Sequence, residues 1–216
     1  MVEKFHEELD TLKLDVEEMG KLAREMLEKS IIALKTKDTE LADWIISQKG
    51  KLAKMDLEIE TDALRLVTLY QPMAKDMRVI ACILKVITYL TRIGRYGKDI
   101  ARVVPQLCET PQVAKMVSLP YMAQIVCGMI DNALEAFETE NISLFADFDE
   151  RDDSVDSLRY SVFRECLTYM TENPKNITPC AHYMMIARYL ERCADHACKM
   201  AEKIHYMATG THVEIG

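Results

Sequence analysis

Residues 5–26 read FHEELDTLKLDVEEMGKLAREM, and the spacing of their apolar side chains decides the fold. Phe5, Leu9, Leu12, Val16, Met19, Ala23 and Met26 recur at alternating intervals of four and three. That is the seam of a helix packing at a shallow angle against its neighbours. The helix extends to about Lys35, where Thr36-Lys37-Asp38 offers a break and Asp38 an N-cap for the next one.

Outward from this seam, a second helix continues through Trp44, Leu52, Met55, Ile59 and Leu66 to Tyr70. Pro72 is placed to open a third, since its fixed φ and missing N–H suit a first turn. Pro105, Pro111 and Pro120 bound a stretch without sustained periodicity, read as a linker. Helices are expected at about 119–139 and 141–171, Pro174 and Pro179 bracket the start of a sixth, and Gly210 ends it. Seven Gly and six Pro leave few turns to punctuate strands, and every proline falls at a proposed boundary.

The two halves match. Residues 33–38 (ALKTKD) align with 136–141 (AFETEN) at an offset of 103, keeping a small residue, a large apolar one, Thr and an Asp/Asn cap in order. Asp56xxxGlu60 aligns with Asp152xxxAsp156 at an offset of 96, and residues 89–92 (YLTR) with 189–192 (YLER) at 100. The change from 103 to 96 is one heptad, about two turns, which leaves the same face inward. The expected architecture is all-α, a tandem repeat of two antiparallel three-helix bundles. Their bounds are 1–104 and 119–210, with a linker over 105–118 and a tail over 211–216.

Composition narrows the chemistry. The 27 basic and 35 acidic side chains, net charge -8, would repel a phosphate backbone, so direct nucleic-acid binding is not expected. Seven Cys without a CxxC pair suit a reducing compartment, where most pack as small hydrophobes. No apolar run reaches the roughly 20 residues of a membrane span, and the acidic, amphipathic N-terminus lacks the features of a signal peptide. A cytoplasmic location is expected. No Gly-rich phosphate loop, GxSxG elbow or Ser/His/Asp order is present, and no enzymatic activity is expected.

Side chains four apart on a helix project about 40 degrees apart. Asp152 with Asp156, and Glu191 with Asp195, therefore each offer oxygens to one side. Facing each other across a helical hairpin, they would supply four carboxylates to a divalent or trivalent cation such as Fe, Zn, Mn or Mg. Acidic i,i+4 pairs are also ordinary on solvated faces, and Arg188 and Arg192 can neutralise part of this charge. His196 is turned about 100 degrees from Asp195, which suits an interface better than ligation. Arg78, Lys85 and Arg92 recur every seven residues, a basic stripe that can meet an acidic partner or pair within its own bundle. Glu3-Lys-Phe-His6 and Glu202-Lys-Ile-His205 raise a second class, an iron-handling carboxylate bundle with redox activity, although they lie at opposite ends of the chain.

Residues 189–202, YLERCADHACKMAE, resemble the ERxxDHAxxxAE signature near the end of PhoU proteins, and residues 71–78, QPMAKDMR, resemble their QPxAxDLR segment. The resemblance covers nearly the whole chain. It implies two three-helix bundles, metal clusters on E/DxxxD motifs of each bundle, commonly a homodimer, and no known catalysis. It further implies phosphate signalling by restraint of a phosphate ABC transporter and a partnered sensor histidine kinase, with membrane association only through these partners. An adaptor for a different transporter is compatible with the same fold. This sequence departs from the pattern where Thr91xxxArg95 stands in place of Glu191xxxAsp195. The expectation is that the first bundle has lost its metal cluster and that Arg95 fills its place, bonding Asp56 or Glu60.

Overall fold

The computed structural model describes residues 2–108, 110 and 118–216. They form seven α-helices: α1 Val2–Thr36, α2 Thr39–Tyr70, α3 Ala74–Ala101, α4 Val104–Cys108, α5 Ser118–Thr139, α6 Phe148–Glu172 and α7 Ile177–Thr209. No strand is present among the described residues. The opening seam is borne out, since all seven of its apolar side chains are buried.

Helix ends follow local chemistry. Asp38 caps α2 by accepting from the Leu41 backbone N–H at 2.9 Å, and Gly210 ends α7 at φ 78°. Pro105, Pro120 and Pro179 lie in the first turns of α4, α5 and α7, where an N–H would lack an intrahelical partner. Pro72 instead stands two residues ahead of α3, in a turn entered through Gln71 at φ 48°.

Two boundaries differ from the sequence reading. The stretch from Asn141 is not α-helical at once, because Asn141 Oδ1 accepts from the Ser143 N–H at 3.2 Å and the Ser143 hydroxyl at 2.7 Å. This local turn competes with the helix. It sets a 3-10 turn, Ile142–Phe145, before α6 starts at Phe148. The linker expected over 105–118 opens inside α4, whose Val104 and Leu107 are buried, while residues 109 and 111–117 lie outside the described residues.

In the first bundle α1, α2 and α3 pack together; in the second, α5, α6 and α7 do. The bundles also pack on each other, α3 against α7 and α1 against α5, leaving α2 and α6 as outer helices. Tyr96 stacks on Tyr189 with ring centroids 5.4 Å apart, and His196 stacks on Tyr89 and Tyr96. Arg24 bonds Asp131 at 3.0 Å and Lys75 bonds Glu140 at 2.8 Å across the same junction. Buried side chains of both bundles form one continuous hydrophobic core.

Candidate functional site

The short turn between α6 and α7 folds them into an antiparallel hairpin, which puts the start of α6 beside the later part of α7. Asp152 and Asp156 come from α6, Glu191 and Asp195 from α7. Burial first, then the negative charges of Asp195, Asp156, Asp153 and Glu191, push the Asp152 carboxyl up to about 6. The four acids thus share one electrostatic site. Glu191 is 8% exposed, and burial, opposed by Arg188, raises its pKa.

Arginines border the acids. Arg188 bonds Glu191 Oε1, Arg159 of α6 approaches the same oxygen at 3.9 Å, and Arg192 bonds Asp195 at 3.2 Å. Glu191 Oε2 and Arg159 Nε are buried without hydrogen-bond partners. The donor chemistry suits a hard or borderline cation, which would satisfy the orphan oxygen and offset the crowded charge. The side chains do not form a closed shell: among the described residues, no three His, Cys, Asp or Glu side chains converge on one ion position. Arg159 was not singled out in the sequence, although it lies three residues after Asp156 and so on the same face.

His196 is buried at the junction with α3. Burial first, then Arg92, lowers its pKa to about 4, and its Nε2 has no partner. The tail folds back over this end of the second bundle. The Ile215 N–H bonds Glu202 Oε1 at 3.3 Å and the Gly216 N–H bonds Asp149 at 2.8 Å. A Cβ on Gly216 would fall 3.3 Å from Asp152 Oδ2.

The first bundle is arranged differently from expectation. Arg95 does not bond Asp56 or Glu60. Its ion pair is with Asp99 at 3.9 Å, and its side chain is 74% exposed. The physical reason is register. At the offset of 100 that relates residues 89–92 to 189–192, the α2 counterparts of Asp152 and Asp156 are Leu52 and Asp56, one turn from the alignment at 96. The structure agrees: Thr91, Gly94 and Arg95 face a cavity whose α2 wall is Lys49, Leu52 and Ala53. Asp56 and Glu60 are outside that wall.

The basic stripe is split. Arg78 Nε donates to the Met207 carbonyl at 3.4 Å, so it is engaged with the end of α7, while Lys85 and Arg92 are exposed. The two Glu/His pairs do not assemble. Glu202 is held by Lys199 at 2.6 Å, His205 Nδ1 lies 3.2 Å from the Thr211 carbonyl, and His6 sits 3.6 Å from Asp76.

The chain matches the PhoU domain twice, over residues 16–104 and 119–204. It belongs to the PhoU family. The phosphate-specific transport system accessory protein PhoU homolog of Rhizobium meliloti is 36% identical over 207 residues, covering 95% of this chain and 87% of that protein. The Aquifex aeolicus protein of the same name is 34% identical, with 98% and 96% covered. The crystal structure of PhoU from Pseudomonas aeruginosa superimposes with a TM-score of 0.91 at 30% identity, covering 96% of this chain and 100% of that one.

Proposed function

We propose that this PhoU-family chain is an accessory and regulatory protein of phosphate transport. It restrains a phosphate ABC transporter, a partnered sensor histidine kinase, or both, by protein contact from the cytoplasm. The observation that carries this reading is the double PhoU-domain match over residues 16–104 and 119–204, with relatives that cover 95% or more of the chain named as accessory proteins of the phosphate-specific transport system. Among the described residues no helix is long and apolar enough to cross a membrane, which fits a protein that reaches the membrane through its partners.

In this reading Asp152, Asp156, Glu191 and Asp195 hold a divalent or trivalent cation, of the Fe, Zn, Mn or Mg class. With two acids on α6 and two on α7, these residues would hold the cation between the helices, and its positive charge would offset theirs and tie α6 to α7. Support comes from the raised Asp152 carboxyl and from Glu191 Oε2, which accepts no hydrogen bond and, among the described residues, has only Arg192 near it, at 4.0 Å. The deciding experiment is affinity purification of the tagged chain from phosphate-starved and phosphate-replete cells, with metal quantified by elemental analysis. Transporter or kinase subunits should accompany the native chain, and the Glu191→Ala/Asp195→Ala variant should lose both metal and partner. Unchanged metal in the variant refutes the site; absence of those subunits in both states refutes the regulatory reading.

A further inference from the structure

The cavity of the first bundle lies where the second carries acids, and its charge is reversed. Among the described residues, Lys49 from α2, Thr91, Gly94, Arg95 and Lys98 from α3, Arg102 just past the end of α3 and Met26 from α1 line a volume of about 470 Å³. Four cations border it and, among the described residues, no carboxylate does. The nearest acid in the ion-pair network is Asp99, which takes Lys98 at 2.9 Å, Arg102 at 3.7 Å and Arg95 at 3.9 Å. One carboxylate against four cations leaves a local excess of three positive charges.

Two features separate this from a solvated basic face. Lys98 is 5% exposed and lines the cavity, and among the described residues its one ion-pair partner, Asp99, is shared with Arg95 and Arg102, so a single carboxylate serves three cations. Thr91 Oγ1 is buried with no hydrogen-bond partner, an orphan donor on the cavity wall. A Cβ at Gly94 would displace the Leu52 methyl on the facing wall. The volume is within the range of about 300–1,000 Å³ usual for small-molecule sites, larger than a lone tetrahedral ion requires.

We propose that this cavity is an anion site for a multiply charged phosphoryl compound of at least diphosphate size, bound by Lys49, Arg95, Lys98 and Arg102 with the Thr91 hydroxyl. An anion of several charges matches the excess of cations, arginine forks grip phosphoryl oxygens in pairs, and Thr91 gains the partner it lacks. Neither the regulatory role nor a metal in the second bundle is needed for this site.

Calorimetric titration of chelator-treated protein with diphosphate, inorganic phosphate and acetate tests it. One diphosphate should bind per chain, more tightly than phosphate, with no saturable binding of acetate and weaker affinity at higher salt. Lys49→Gln/Arg102→Gln should weaken diphosphate about tenfold or more, the loss expected for charge-assisted bonds. Thr91→Val should weaken it severalfold while the melting temperature holds or rises, an effect that a merely structural hydroxyl would not give. Absence of saturable diphosphate binding, or full binding by the Lys49/Arg102 variant, would each overturn the site.

Discussion

At the scale of single residues, Asp152 and His196 are displaced in opposite directions, Asp152 by burial among the acids of the second bundle and His196 by burial against α3 and by Arg92. The Asp152 pKa is about 6 in the fold against an ordinary 3.8, so the folded state holds its proton longer than the unfolded chain does. Stability from this group is present below about pH 4 and is lost as pH rises through 6. The His196 pKa is about 4 against an ordinary 6.5, so the folded state refuses a proton that the unfolded chain takes. Stability from that group is present above pH 6.5 and is lost as pH falls through 4. The two slopes oppose each other in the native chain. Asp152→Asn removes only the first, so in metal-free protein its melting temperature should rise more steeply with pH between 4.5 and 6.5 than the native chain's. Parallel profiles in thermal melts would show that Asp152 is not crowded by its neighbours.

At the scale of elements, close helix contact is legible at two glycines with contrary expectations. A Cβ on Gly97 would fall 2.8 to 2.9 Å from the backbone of Met26 and Leu27, so α3 cannot carry a methyl there without moving off α1. Gly97→Ala should cost about 1–3 kcal/mol, an overpacking penalty. Gly50, inside α2, has nothing within 4 Å of such a Cβ, and Gly50→Ala should gain about 0.5–1 kcal/mol of helix propensity. Urea unfolding of both variants measures the pair; a neutral Gly97→Ala would mean that α1 and α3 are further apart. Helix existence was plain in the sequence because the α1 seam repeats over seven apolar positions. Register was not: Asp56xxxGlu60 looks like Asp152xxxAsp156 at an offset of 96, yet the walls meet at 100. A slip of one turn nearly restores the same helix face, so an acidic pair cannot fix its own level. The 3-10 turn after Asn141 was hidden because an Asx turn and an N-cap use the same residue type.

At the scale of the molecule, the sequence describes two repeats but is silent on how they meet, since the faces that join them are apolar in the same period as those inside each bundle. Tyr96, Tyr189 and His196 make that junction, and the core runs through it without a break. Arg24–Asp131 and Lys75–Glu140 add cross-bundle pairs, but exposed ion pairs contribute little, about 0–1 kcal/mol each, so apolar and aromatic packing holds the halves together. Shared packing couples their unfolding. The full chain should therefore melt in one cooperative transition, with coincident near- and far-ultraviolet dichroism and matching calorimetric and van't Hoff enthalpies. Residues 1–108 expressed alone would expose the α1 and α3 faces that α5 and α7 now cover. They should melt well below the full chain or aggregate, with Tyr96→Ala in the full chain shifting the melt in the same direction. Two resolved transitions, together with a soluble first half that keeps the full-chain melting temperature, would instead make the bundles independent bodies in contact.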